Sequence, residues 1–462
     1  MRLLPALPSP VRNRRIRGCP PASRRLSAFL LTLLPTVAAP LAVSAATYHV
    51  APPPAGSDAN PGSQAQPWAT LQHAADTVSA GDTVLVGTGD YAGAYLTTSG
   101  TALLPITFRA APGASPRVVS DNAITPDGIN IEAADHVVIE GFRVQGTTRA
   151  GIRAVLCDRV TIRGNDTDQN GRWGIFTGFC DDLLIENNTT SRSVIEHGIY
   201  VSNSGDRPVI RGNLIFDNNA NGIHMNGDRF AGGDGVISDA LVENNIIFGN
   251  GEGGGSGINC DGVETSLIRN NLIYDTHASG ISLYQIDGGA PSTGNRVFNN
   301  TVIVASDGRW ALNIQNGSTG NTVRNNIFYS EHGFRGAMSV CSTCLPGFTS
   351  NHNVVEDRFT LDDGNTVLTL SQWRTQTGQD SDSRISDPAS LFENPSVGDY
   401  HLKQGSPALD MGETLADVPT DLEGTPRPVG PAYDAGAYEG VGLVFTDGFE
   451  AGNVLAWSSS AP

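Results

Sequence analysis

Lysine is almost missing from this chain: Lys403 is the only one in 462 residues. Charge of either sign is sparse, at 16% of residues, and aromatics stand at 7%. Basic residues number 29 against 47 acidic, a net charge of −18. That balance excludes nucleic acid as a partner, because phosphate backbones are held by Lys and Arg. Low charge combined with 54 glycines excludes a coiled coil or a helical bundle, which draw on charged helix formers. An apolar fraction of 39% is too high for a disordered chain.

Residues 1–46 carry seven arginines and no acid, and Ala28 to Val43 form an apolar run broken by Pro35 and Pro40. The run is shorter than the ~20 residues a membrane span needs. With the small residues Ser44-Ala45-Ala46 after it, the segment reads as a cleaved secretory signal. Its removal leaves 22 basic residues (29 − 7) against 47 acidic, a charge of −25. The expectation is an exported protein, secreted, periplasmic or at the cell surface, monomeric and free of the membrane after cleavage.

What is abundant is periodicity. A Gly-Ile pair recurs at Gly128, Gly151, Gly174, Gly198, Gly222, Gly257 and Gly280, with Ala311-Leu312 as a degenerate eighth copy. Most spacings are 23 or 24 residues. A second mark keeps phase with it: Asn165, Asn188, Asn213, Asn245, Asn271, Asn300 and Asn326. Runs of three to five alternating residues between these marks are too short for helices and read as strands. Three strands per repeat, joined by Asn and Gly turns, predict an all-β, right-handed parallel β-helix of about 23 residues per coil. Coils stack ~4.8 Å apart, so the asparagines should align as an internal ladder that satisfies its own amides. Residues 67–79 read as an amphipathic helix capping the open end, with Trp68, Leu71, Ala74 and Val78 on one face. The chain divides into a signal (1–46), a cap with first coils (47–120), regular coils (121–345), irregular closing coils (346–440) and a tail (441–462).

The opening Tyr48-His-Val-Ala-Pro, Gly56-Ser-Asp-Ala-Asn-Pro-Gly, Gln66-Pro-Trp-Ala-Thr-Leu-Gln and Ala80-Gly-Asp-Thr-Val resembles that of secreted pectin-lyase-like β-helix proteins. Gly405-Ser-Pro-Ala-Leu-Asp with Asp434-Ala-Gly-Ala-Tyr-Glu is similar to their C-terminal closure. The resemblance covers most of the chain after residue 46 and specifies architecture more than chemistry. The family includes pectate and alginate lyases, uronan epimerases, glycoside hydrolases and proteins without known activity. Calcium-dependent pectate lyases of similar opening use a lysine as base. Lys403 lies beyond the regular coils and matches no such position, so Arg, His or Tyr must do that work, or the chain is not such a lyase.

Side chains after each repeat Gly alternate inward and outward. The first outward column is Asn130, Arg153, Phe176, Tyr200, His224, Asn259, Ser282 and Asn313; the second is Glu132, Val155, Gly178, Ser202, Asn226, Asp261, Tyr284 and Gln315. Two long insertions, 227–240 and 285–296, follow the same strand two coils apart. They are expected to wall a groove floored by His224, Asn226, Asn259 and Asp261. His224, Tyr200, Asn226 and Asp261 are the catalytic candidates; Arg153, Phe176, Asn259 and Tyr284 are the substrate-binding ones. For a uronate lyase or C5-epimerase, His224 would be the base and Tyr200 the base or acid. Arg153, Asn226 or a cation would neutralise the substrate carboxylate. Calcium held by Asp228, Asp234 or Asp261 is the candidate cofactor, since hard cations take oxygen ligands. A hydrolase would instead use paired carboxylates such as Asp228 and Asp261, and a carbohydrate-binding surface protein would use neither. The partner in every case is a polysaccharide. His197 and His277 sit just before their strands as supporting or merely solvated groups. Cys157 and Cys180 occupy one position in consecutive coils and are expected as a disulfide or at least a sulfur stack. Cys341 and Cys344 are expected to form a local bridge, and Cys260 to point inward alone.

Overall fold

A computed structural model describes residues 45–440. The signal and the tail expected at the two ends lie outside the described residues, apart from Ala45 and Ala46. Three parallel sheets of 12, 11 and 12 strands run the length of the molecule. They wind as a β-solenoid of about 12 turns with about 26 residues per coil. The mean exceeds the 23-residue spacing of the first coils because the insertions lengthen the later ones.

The repeat glycine has a steric cause. A Cβ on Gly174 would stand 2.8 Å from the carbonyl oxygen of Gly198, and one on Gly222 would stand 2.7 Å from that of Gly257. Each coil therefore enters its strand against the backbone of the next. The following Ile turns inward: Ile129, Ile152, Ile175, Ile199, Ile223, Ile258 and Ile281 are all buried. Each contributes about 1.5–3 kcal/mol by leaving water.

The asparagine ladder forms as expected. Asn165 Nδ2 donates to Asn188 Oδ1 at 3.0 Å, and the chain of amides continues through Asn213, Asn245, Asn271, Asn300 and Asn326 to Asn353. The residue before a ladder position is in the left-handed region: Asn187, Asn244, Asn270, Asn299 and Asn325 have φ between 51° and 57°. Asparagine tolerates that conformation better than most residues. The Asn-Asn doublets thus combine a turn residue with a ladder residue. A second ladder, Asn218 to Asn250, runs beside the first.

The cap is a helix at Leu71–Thr77, shorter than expected, with the Thr70 hydroxyl accepting from the His73 amide. Trp68, Leu71, Ala74 and Val78 are buried. Trp68 stacks on Tyr48 at 4.4 Å, and Gly62 (φ 79°) lies so close to the indole that a Cβ would clash at 2.6 Å.

The cysteines need one correction. Cys341 and Cys344 are bridged, and Cys260 is buried alone. Cys157 and Cys180 are both free and buried. The Cys157 amide donates to the Cys180 sulfur at 3.4 Å, and that thiol faces the Ala154 carbonyl at 3.4 Å. The Cys180 sulfur is satisfied through the backbone, and no bond forms between the two thiols.

Candidate functional site

The 11-stranded sheet carries the outward columns. Its central strands are Trp173–Gly178, Ile199–Ser202, Ile223–Asn226, Ser256–Asp261 and Ser279–Tyr284. Register follows the expected alignment: Arg153 pairs with Phe176, Phe176 with Tyr200, Tyr200 with His224, His224 with Asn259, and Asn259 with Ser282. Asn226 pairs with Asp261 and Asp261 with Tyr284.

Tyr200 and His224 are stacked at 4.8 Å with 8° between their planes. Phe176 meets Tyr200 edge-on at 5.3 Å. His197 adds a third group, 5.0 Å from Tyr200 and 4.7 Å from His224 between ring centres. Its Nε2 lies 3.1 Å from His224 Nδ1. The protons can be placed. The backbone amide of Asn221 donates to His197 Nδ1 at 3.3 Å, and Asn221 Nδ2 lies 3.1 Å from the same atom. His197 therefore carries its proton on Nε2 and donates to His224 Nδ1, which leaves the His224 proton on Nε2. Burial holds His197 well below the usual imidazole range, with the His224 and Arg172 charges acting in the same direction. Burial alone takes His224 to about 3. Both rings are neutral at working pH. His224 Nε2 is shut off from solvent and has no partner among the described residues. An N–H without an acceptor is costly, and an oxygen satisfies it once the side chains that cover it move aside. The expected role of His224 as base thus meets a geometric obstacle: its one basic nitrogen is occupied by His197.

Tyr200 accepts from Asn226 Nδ2 at 3.2 Å. Burial raises the phenol above its ordinary value. Beneath the cluster, Trp173 packs on Phe176 at 4.5 Å and donates from Nε1 to Glu196 at 2.6 Å. Glu196 also pairs with Arg172. Trp173, Glu196 and Asn221 were not among the sequence candidates. All three belong to the two positions before a repeat glycine, as does His197. Those positions form a third column, joined by the hydrogen bonds from Gly174 to His197, Gly198 to Asn221 and Gly222 to Ser256.

The long loops do not wall a groove between them. Arg229 donates to Asp287 at 3.0 Å and Gly289 to Gly235 at 2.6 Å, so the two insertions meet over the short coil separating them and form one ridge. Asp261 lies under it, 2% exposed. Its carboxylate accepts from the amides of Ile286 (2.8 Å), Asp287 (2.8 Å) and Gly288 (3.0 Å). Asp261 is the anchor of the second loop, with no oxygen turned to a substrate. Asp228 accepts from the Phe230 amide and Asp234 from the Val236 amide, each within its own turn. Among the described residues no three His, Cys, Asp or Glu side chains converge as metal ligands. The three aspartates do not fit a calcium site, and Asp228 with Asp261 does not fit a hydrolase pair. Phe230 (74% exposed) and Ile286 (65%) give the ridge an apolar crest.

The binding candidates divide. Phe176 belongs to the ring cluster. Arg153 is engaged by Glu132 at 2.5 Å and Asn130 at 2.9 Å, which removes it as a carboxylate neutraliser. Asn259 donates to the Tyr284 hydroxyl at 2.7 Å, and both line a cavity of about 240 Å³ beyond His224. Asp181 and Asp182 are paired with Arg207 away from the site. His277 pairs with Asp307.

Two family models match in tandem. Residues 48–193 match one described as a Pel9A-like right-handed β-helix region, and residues 194–351 match a right-handed β-helix region. No curated protein matches the chain in sequence. Among solved structures, pectate lyase Pel9A is similar with a TM-score of 0.58 at 15% identity, over 86% of this chain and 98% of that one. XylC in complex with xylose gives 0.53 at 12% identity, over 85% and 99%. A rhamnogalacturonan lyase gives 0.50 at 15% identity, over 80% and 97%. At these identities the likeness is one of fold. Residues 48–351 are right-handed β-helix of the kind these two models describe.

Proposed function

We propose that this protein is an exported polysaccharide lyase or C5-epimerase that removes the proton alpha to the carboxylate of a uronate-containing polysaccharide. The observation that carries the reading is the Tyr200–His224 stack, with a sealed, unpartnered N–H at His224 Nε2. Loss of the C5 proton turns the uronate into an enolate with added charge on its carboxyl oxygens. Catalysis then needs a proton acceptor and fixed donors aimed at that charge. Asn226 Nδ2 and, once substrate binding displaces the side chains that cover it, His224 Nε2–H are the donors. Tyr200 is the proton-transferring group: its phenolate takes the C5 proton. In a lyase the C4–O bond breaks, the phenol returns the proton to the leaving oxygen, and a C4–C5 double bond remains. In an epimerase the proton returns to the opposite face of C5 from a second donor. Because burial raises the Tyr200 phenol, turnover should climb on the alkaline side.

A hydrolase reading is weaker, since the Asp228–Asp261 pair it requires is committed to backbone amides. Incubation with polygalacturonate, alginate and other polyuronates in D2O tests the proposal. Ultraviolet absorbance of an unsaturated end, or deuterium at C5, supports it. Reducing ends without either, or binding without any reaction, contradicts it.

A further inference from the structure

Beyond His224 the same face changes character. A cavity of about 410 Å³ is lined by Ser279, Asn313, Gln315, Arg309, Arg335, Trp310 and Asp363. It adjoins the Tyr284 cavity, with which it shares Ser279, Arg309, Asn313 and Gln315. Arg309 and Arg335 stand two residues before the repeat-glycine position of their coils, filled here by Ala311 and Ala337 just ahead of the strands Leu312–Ile314 and Met338–Val340, in the column that supplies Glu196 and Arg172 further up.

The two arginines differ from most others in the molecule. Arg149, Arg153, Arg163, Arg207, Arg211 and Arg269, for example, each pair with a carboxylate. Neither Arg309 nor Arg335 has an ion pair among the described residues. The Arg309 guanidinium is exposed. Arg335 spends one nitrogen on the Gly308 carbonyl, at 3.1 Å. Two guanidinium groups against the single carboxylate of Asp363 leave this cavity with one positive charge in excess, in a chain carrying −18 overall. Planar forks of this kind hold carboxylates in bidentate fashion. Gln315 Nε2 donates to Asn313 Oδ1 at 3.1 Å and to Ser339 at 2.8 Å. Asn313 Nδ2 and Gln315 Oε1 remain open as one donor and one acceptor for sugar hydroxyls.

We infer that this cavity is a subsite for the carboxylate of an anionic sugar residue, held by Arg309 and Arg335 and distinct from the residue that reacts at Tyr200 and His224. Asn313 is three coils from His224 in the outward column, about 14 Å at ~4.8 Å per coil. One polymer chain spans both places and a monosaccharide does not. The subsite rests on the uronate reading for its ligand class, but its test reads binding separately from turnover.

The experiment is calorimetric titration of the full chain and its Arg309→Ala, Arg335→Ala and double variants. The ligands are long and short oligogalacturonates, the same oligomers with carboxyls reduced to alcohols, and dextran sulfate. Arg309 is exposed, so at least its variant keeps the fold, as thermal melting will verify. The double variant should lose about tenfold or more in affinity for long oligogalacturonate. It should lose little for the short or the reduced oligomers, and the wild-type affinity should fall with salt. Equal binding by wild type and double variant, an equal loss for the reduced oligomer, or a loss confined to dextran sulfate overturns the subsite. Arginine-dependent oligouronate binding without turnover of any polyuronate keeps the subsite and removes the lyase reading. Turnover with KM unchanged in the double variant does the reverse.

Discussion

Two halves of one sheet face share a backbone, a register and a repeat, and differ only in three columns of side chains. Around Tyr200 the columns hold neutral rings: His224 stacks on Tyr200, Phe176 and His197 meet Tyr200 edge-on, and Trp173 packs on Phe176. Around Asn313 they hold hydroxyls, amides, one carboxylate and two guanidinium groups without ion pairs, with Trp310 and Tyr284 as isolated rings, around open cavities. Burial pushes the Tyr200 phenol up and both imidazoles down in the first half; in the second it raises the Tyr284 phenol as well, while Arg309 and Arg335 stand without ion pairs among the described residues. The solenoid supplies a fixed grid, and side-chain choice at a few grid points makes one half suited to moving a proton and the other to gripping a charge.

The sharpest way to separate donor from base in the first half is a pair of substitutions at His224. If its Nε2–H is the working group, His224→Leu should lower kcat by about 10²–10³-fold, as loss of a preorganised donor does. His224→Gln should recover part of that loss by restoring an N–H. Steady-state kinetics decides: equal inactivity of the two variants would return His224 to the role of base.

Next comes the ridge that bounds both halves. Asp261→Asn removes the charge that three loop amides share and should lower stability by about 2–3 kcal/mol. The same variant should raise hydrogen exchange at Ile286, Asp287 and Gly288. Unchanged exchange there would show that the loops hold each other without it.

The join between the halves is Asn221, which donates to His197 Nδ1 and accepts from the Ser256 amide at 2.6 Å. Asn221→Ala leaves that buried amide unpaired and should cost about 1–3 kcal/mol. It should also shift the ring signals of both histidines in NMR, and a change confined to Ser256 would argue against a locked tautomer.

Acid should act on the ring half first. His197 and His224 have folded values below the imidazole reference of 6.5, so the unfolded chain binds protons before the folded one. Their stability contribution is whole above about 6.5 and is lost as pH falls from there toward about 3. Denaturant midpoints measured across that window should fall less steeply in His224→Gln than in wild type. A smaller effect of opposite sign belongs to Glu356, which burial raises to about 7 against its reference of 4.5. Stability is lost there as pH rises from about 4.5 to 7, and Glu356→Gln should recover up to about 1 kcal/mol at pH 8.

Much of the fold was legible because a solenoid writes its geometry in phase. The Gly-Ile pairs, the asparagine column and the inward Ile column each report one position of a repeating coil, and all three stand as read. The outward columns followed from the same phase. The chemistry was less legible for two physical reasons. Positions before the repeat glycine carry no shared residue type, so Trp173, His197, Asn221 and Arg309 showed no pattern, although aligning on the glycine would have gathered them into one column. Partnership between coils also cannot be read from spacing: Asp261 looked like an exposed acid until loop amides occupied it, and Arg153 looked free until Glu132 claimed it. Cys157 and Cys180 have the spacing of a bridge and the backbone bonds of a stack.

The central claim is proton abstraction at Tyr200. The most direct measurement is deuterium incorporation at C5, or formation of unsaturated ends, when polyuronates are incubated in D2O with wild type and with Tyr200→Phe, which keeps the ring stack and removes only the hydroxyl. Wild type should react, faster toward alkaline pH, and the variant should lose about 10²–10⁴-fold in rate. Reaction at the wild-type rate in Tyr200→Phe, or no C5 exchange with any polyuronate, would contradict it.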